Sequence, residues 1–150
     1  MILPLQMLYF EDLSVGLAET LSKTIDSSDD VGFAEVTGVR NPIHLSEHFA
    51  AKTPFGTRIA HGLYTASLIS AVLGTRLPGP GAVYISQTLN FRAPVKIGDT
   101  VAVTVTVTEL VPDKRRARLT CTCTVDNEVV LDGEGVLSVP PTPKLNSSSA

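Results

Sequence analysis

The sequence predicts an α+β domain in which an antiparallel sheet wraps around one central helix. Gly62 to Leu77 is apolar around most of its circumference at helical spacing, and after Ala82 the pattern switches to period two. The length of 150 residues suits one hydrophobic core and no second lobe. A helix that is apolar nearly all round needs cover on every side, and a curved sheet is the simplest cover.

Met7 to Ile25 carries short β-favouring pieces broken by Asp12 and Gly16, which reads as one or two strands. Ser27-Ser28-Asp29-Asp30 marks a helix start, because capping side chains and carboxylates stand where free N–H groups and the positive dipole end need them. That helix runs through Val31, Phe33, Ala34 and Val36 and stops at Gly38. Asn41-Pro42 then forces a turn, since proline excludes the helical region for the residue before it. A short helix follows from Ser46 and ends before Pro54. The central helix over Gly62 to Leu77 is roughly 24 Å long at 1.5 Å per residue. Strands follow over Val83 to Phe91, Thr100 to Val111, Arg115 to Val125 and Glu128 to Val139, separated by turn signals such as Gly98-Asp99 and Asp126-Asn127. Val101 to Thr108 alternates almost strictly, so that strand has one buried and one wet face. Residues 1–139 form the domain, and Pro140 to Ala150, with no apolar period, reads as a flexible tail.

Composition removes whole classes of function. Twelve Lys+Arg against fifteen Asp+Glu give a net charge of -3, which offers no basic field for nucleic acid or anionic lipid. No apolar run approaches the ~18 residues of a membrane span, and the N-terminus carries no export signal, so the chain reads as cytoplasmic. Charged residues make up 18%, below the roughly 25% usual for soluble domains, and a partner subunit is expected to cover some apolar surface. Cys121 and Cys123 project side by side from one strand face, where they cannot easily close a bridge. Without His or Cys partners at ligand spacing they make no metal site and read as small buried residues of a reducing compartment. The Gly-rich phosphate motifs, the G-x-S-x-G elbow and H-E-x-x-H are absent.

The chemistry-bearing residues gather around the turn at Asn41 and the start of the central helix. His44 follows Asn41-Pro42-Ile43, and His61-Gly62 opens the long helix. Histidine titrates nearest neutrality and suits general acid or base work. It equally suits a hydrogen bond to a backbone carbonyl at a helix boundary, and spacing alone leaves both roles open. His48, beside Glu47 in the short helix, reads as a surface residue. The N–H of Gly62 lacks an intrahelical partner, and glycine admits a close ligand oxygen, so it can form half of an oxyanion hole.

These residues also carry a family resemblance. The run from Phe33 to His44, Phe49-Ala50, Ile59-Ala60-His61-Gly62-Leu63, the run from Gln87 to Val95, and Gly98-Asp99 together resemble the MaoC-like, hydratase 2 family. Within it the chain is most similar to the (R)-specific 2-enoyl-CoA hydratases that feed polyhydroxyalkanoate synthesis. The resemblance implies a hot-dog fold, a homodimer, and syn addition of water to a trans-2-enoyl-CoA. Coenzyme A then enters as part of the substrate, and no separate cofactor or metal is implied. The family motif Ser/Thr-Gly-Asp-x-Asn-Pro-Leu/Ile-His implies a catalytic role for His44 and a site role for Asn41. It further implies that the Gly62 N–H holds the thioester oxygen and that Ser70 faces the site from the central helix.

The aspartate of that motif falls on Val39, which can neither take nor give a proton. A positioned acid–base group typically supplies about 10² to 10⁴-fold. Glu35, one helical turn back, Asp29 and Asp30, expected at the far end of their helix, and Glu47, after the turn, cannot be placed in the site from spacing. Two readings follow: a hydratase weakened at Val39, and a non-catalytic acyl-CoA-binding homologue. The CoA phosphates call for cations, and Arg92, Lys96 and Arg58 are candidates by position, each of which also reads as a solvated surface residue.

Overall fold

In the computed structural model, which describes residues 3–144, a single turn of 3-10 helix precedes β1 (Ala18–Thr24), and α1 (Ser27–Thr37) follows. Two one-turn helices, α2 (Pro42–Leu45) and α3 (Glu47–Ala50), lead to the central α4 (Gly62–Thr75). The chain then forms β2 (Val83–Gln87), β3 (Asn90–Phe91), β4 (Thr100–Val111), β5 (Arg116–Val125) and β6 (Glu128–Ser138). These six strands make one sheet in the order β1-β4-β5-β6-β2, with β3 also paired to β6 and every pair antiparallel. The strands β4, β5 and β6 follow one another as neighbours, while β2 and β3 both pair with β6.

The alternation of β4 decides where the core lies. Val101, Val103, Val105 and Val107 are fully buried, and their partners Cys123, Cys121 and Leu119 on β5 share that face. They join Leu68, Ile69, Val72 and Leu73 of α4 in one apolar cluster. Both cysteines are free, buried thiols, and burial pushes that of Cys123 up to about 12. The opposite face of the sheet carries threonines. Thr104 lies between Thr20 and Thr122, and Thr106 lies opposite Thr120. The Thr20 and Thr104 hydroxyls are 2.9 Å apart and those of Thr24 and Thr100 are 2.8 Å apart.

Several boundaries depart from the sequence expectation for local physical reasons. Asp26 rather than Ser27 caps α1: its carboxylate accepts the Asp29 N–H, while the Asp29 side chain returns the bond to the Asp26 N–H. Gly38 ends α1 with φ 82°, the left-handed conformation that glycine adopts without steric cost. Asn41-Pro42 starts a helical turn instead of only ending one, because Pro42 occupies the first position, where its missing N–H costs nothing, and Asn41 Oδ1 accepts the Ile43 N–H. The single strand expected over Val83 to Phe91 is two, since the Thr88 hydroxyl takes the Glu134 N–H that a ladder carbonyl would have taken.

Two broader expectations change. The central helix buries Thr65, Leu68, Ile69, Val72 and Leu73 against the sheet but leaves Leu63, Ser67, Ser70, Ala71 and Gly74 exposed, so within one chain the sheet covers only one side of it. The tail expected from Pro140 is held at its start: the Pro140 carbonyl accepts the Phe10 N–H at 2.9 Å, and the Thr142 N–H donates to Glu11 at 2.6 Å. The remainder of that tail, from residue 145, lies outside the described residues. Among the described residues no helix is long and apolar enough to cross a membrane.

Ile69 is fully enclosed between α4 and the sheet. Ile69→Ala is expected to cost about 2–5 kcal/mol, the range for a large core side chain cut to a methyl. Urea denaturation should show a lower midpoint with an unchanged slope.

Candidate active site

A cavity of about 370 Å³ opens beside the start of α4, with His44, Phe55, Gly62, Thr65, Phe91 and Arg92 among the residues lining it. That volume lies at the small end of ligand pockets. Gly62 occupies the first position of α4, so its N–H has no intrahelical partner. Any side chain here would collide with the cavity wall, because a Cβ on Gly62 would lie 2.8 Å from Phe91 Cε1. The bare backbone and the aromatic ring thus require one another.

His44 sits in α2 and is fixed from several directions. Its Nδ1 lies 2.8 Å from the Ile59 carbonyl, which can only accept, so the proton is on Nδ1 and the Nε2 lone pair is left for the cavity. The Ile59 segment is itself tied to the connection between β3 and β4, through a bridge to Lys96 and a 2.7 Å bond from the Ala60 N–H to the Val95 carbonyl. Behind His44, Arg58 Nε donates to the His44 carbonyl at 2.7 Å and Arg58 Nη1 donates to Ser27 Oγ at 2.8 Å. Burial lowers the His44 pKa below its ordinary value of 6.5; His61 and Arg58 act the same way, and the Ile59 carbonyl and Asp30 oppose them. His44 therefore stays neutral, with its lone pair available, in neutral solution.

One face of the His44 ring stacks on His61, with ring centroids 3.9 Å apart and planes 28° apart. His61 Nδ1 and the His61 backbone N–H both donate to Asp30 Oδ1, at 2.8 Å and 3.0 Å. Asp30 is 0% exposed and His61 3%. Asp30 thereby caps α4 from outside that helix, because His61 holds the N-cap position and its own side chain makes no capping bond. Thr65, one turn on, also lines the cavity, and its buried hydroxyl has no hydrogen-bond partner among the described residues.

Of the residues singled out from sequence, His44, Gly62 and Arg92 line the cavity together. Val39 and Asn41 lie in the exposed connection between α1 and α2 and are not among its lining residues. Ser70 lies on the exposed face of α4, about two turns beyond Gly62, and also lines no part of it. Arg92 pairs with Asp132 at 3.2 Å while still half exposed, and Lys96 is exposed with no ion pair among the described residues. Arg58 differs from the expectation of a phosphate ligand: its guanidinium is bonded to His44 and Ser27, and its Nη2 is buried. Glu47 is likewise occupied, accepting from the Thr57 hydroxyl and the Arg58 N–H.

Asp30 is the main correction. The sequence reading put it at the far end of its helix, away from the site, whereas α1 packs so that this carboxylate lies directly behind the histidine pair. The available signal was spacing, since Asp30 shares a helical stripe with Phe33 and Ala34, and Ala34 is buried. Thr65 was also missed, although it follows His61 by one turn on α4.

Residues 16–130 match the family model described as MaoC like domain. The chain belongs to this family. It is 78% identical over 136 residues to a 3-hydroxybutyryl-CoA dehydratase of Methylorubrum extorquens, covering 91% of this chain and 87% of that protein. It is 54% identical to an (R)-specific enoyl-CoA hydratase of Rhodospirillum rubrum, covering 88% of this chain and 92% of that one. An R-hydratase structure from Pseudomonas aeruginosa superposes with a TM-score of 0.88 at 39% identity, covering 95% and 94% of the two chains. The fold is accordingly the hot dog of the MaoC-like hydratases.

The lowered pKa of His44 has a consequence for stability. The unfolded chain, with an ordinary histidine, binds more protons than the folded one as pH falls past 6.5, so the folded state loses ground there. Thermal melts between about pH 8 and 5 should show Tm falling below about 6.5. The decline should be shallower in His44→Gln.

Proposed function

We propose that the protein, an enoyl-CoA hydro-lyase by family, makes (R)-3-hydroxyacyl-CoA from trans-2-enoyl-CoA with His44 as its one acid–base group. The observation that carries this reading is the placement of His44 and Gly62 on the wall of one cavity. His44 Nε2 takes a proton from water as the water oxygen bonds to C3. The C2–C3 π electrons move onto the thioester, whose oxygen takes the Gly62 N–H in place of an intrahelical partner. The imidazolium then gives its proton to C2, so one molecule of water has added and His44 is neutral again. Delivery and return from a single ring on one face give syn addition.

The rest of the assignment follows from placement. Arg92 at the cavity and Lys96 nearby suit the CoA phosphates, and no separate cofactor takes part. Two copies pair through the β2 edge and the open side of α4, where Val83 is 62% exposed, Leu63 59% and Phe91 56%, an apolar patch that a monomer would leave in water. We place the enzyme in the cytoplasm, where free thiols persist, supplying monomers for a polyhydroxyalkanoate.

Val39 favours the second reading, an acyl-CoA-binding homologue without chemistry. Crotonyl-CoA separates the two, since its enoyl-thioester absorbance disappears on hydration. The purified protein should consume it, and His44→Ala should lower kcat/KM by about 10² to 10⁴-fold. Val39→Asp restores the carboxylate of the family motif and should raise the rate by a factor of the same order, about 10² to 10⁴. If neither the parent nor a folded Val39→Asp protein consumes crotonyl-CoA while both still bind acyl-CoA, the binding reading replaces the enzymatic one. Light scattering at micromolar concentration should give the mass of a dimer.

A further inference from the structure

Two buried polar residues behind the cavity, Asp30 and His61, take no part in the hydration steps. Neither can touch substrate: Asp30 is fully buried, and His61 offers the cavity only a ring already covered by His44. As a stabilising clip they are a poor choice, because removing a carboxylate from water can cost more than a single partner returns. Asp30 Oδ2 and His61 Nε2 are both buried with no hydrogen-bond partner among the described residues, so the cost is only partly offset. What the pair does accomplish is geometric.

We propose that Asp30 and His61 are positioning residues for His44, holding its ring in the plane that keeps Nδ1 on the Ile59 carbonyl and leaves the Nε2 lone pair to the cavity. This rests on the hydratase reading of His44. Two constraints are needed to fix an imidazole, one on its rotation about the side-chain axis and one on its tilt. The Ile59 carbonyl supplies the first by engaging Nδ1 at 2.8 Å. The stacked face of His61 supplies the second at 3.9 Å. His61 can serve as a fixed platform only if its own ring cannot turn, and Asp30 Oδ1 secures it at two points, the ring Nδ1–H and the backbone N–H. Phe33 packs on His61 with its ring centroid 4.8 Å away, so the platform is supported from a second aromatic ring. The order of support runs from Asp30 through His61 to His44, and a chain that has lost the family's aspartate at position 39 depends on the orientation of this one remaining ring.

The test uses Asp30→Asn, which keeps an oxygen for the His61 backbone N–H but weakens the hold on the ring. The protein has three histidines, so ¹⁵N-imidazole spectra can be assigned by single substitutions. In the parent, His44 should show a protonated Nδ1 and a bare Nε2. In Asp30→Asn the two His44 nitrogen shifts should move toward each other as the tautomers mix. The kcat for crotonyl-CoA should fall about 10- to 100-fold, the range seen when the partner that orients a metal-ligating histidine is removed, with KM little changed. His61→Gln, which keeps an N–H for Asp30 and removes the aromatic face, should do the same, and it decides the matter if Asp30→Asn does not fold. Unchanged His44 nitrogen shifts in either folded variant overturn the proposal whatever the rate does. Shifted nitrogens with an unchanged kcat in an active parent overturn it as well. If the parent shows no hydration at all, it is the hydratase reading that falls, and the nitrogen spectra alone then decide whether the pair orients His44.

Discussion

The first turn of α1, the N-terminus of α4 and the His61 ring on which His44 stacks all meet on one carboxylate oxygen, Oδ1 of Asp30. The helical layer that carries His44 lies outside the apolar cluster between α4 and the sheet, so it has little hydrophobic burial to hold it. Polar bonds take over that task. Asp30 ties α1 to α4, Arg58 ties α2 back to Ser27, and Glu47 holds the Thr57–Arg58 segment. Hydrogen bonds are directional where apolar packing is not, and a network of this kind selects one arrangement of its members.

The sheet half works by the opposite means. The valines of β4 and their neighbours on β5 gain from leaving water whichever way they mesh in detail, and tolerate volume-conserving exchange. The two regimes join at Ile59 and Ala60. Their backbone pairs with Val95 and Lys96 beside the sheet while the Ile59 carbonyl fixes His44. A rigid apolar scaffold thus sets the position of a ring that polar contacts then orient.

This division explains what could be read from the sequence. The strands β4 to β6 were legible because period two is a property of a few adjacent residues and of one buried face. The starts of α1 and α3 were legible because capping is local, although the reading placed the α1 cap one residue late. His44 and Gly62 stood out through motif and position. Asp30 did not, because a carboxylate in a first helical turn has the same local reason to be there whether it faces solvent or another helix. Its role depends on how α1 packs on α4, across 31 residues of sequence. Arg58 was misread for the same reason: an arginine in a connection between helices looks exposed until its partners at residues 27 and 44 are known.

The low proportion of charge, taken from sequence as a sign of covered surface, has a second source in the outward face of the sheet. Thr20, Thr104 and Thr122 lie in one row across three strands, with Thr106 and Thr120 beside them. Threonine serves both sides of that position, since its branched Cβ favours the strand while its hydroxyl meets water. A hydroxyl neither titrates in the biological range nor attracts counterions. Wetting along this row of threonines is therefore indifferent to acidity and to ionic strength, unlike a surface kept soluble by lysine and glutamate. The pH dependence that comes from His44 thus arises on the other side of the sheet from this row, while Glu134 and Asp132 carry the charge at the β6 end of the same face.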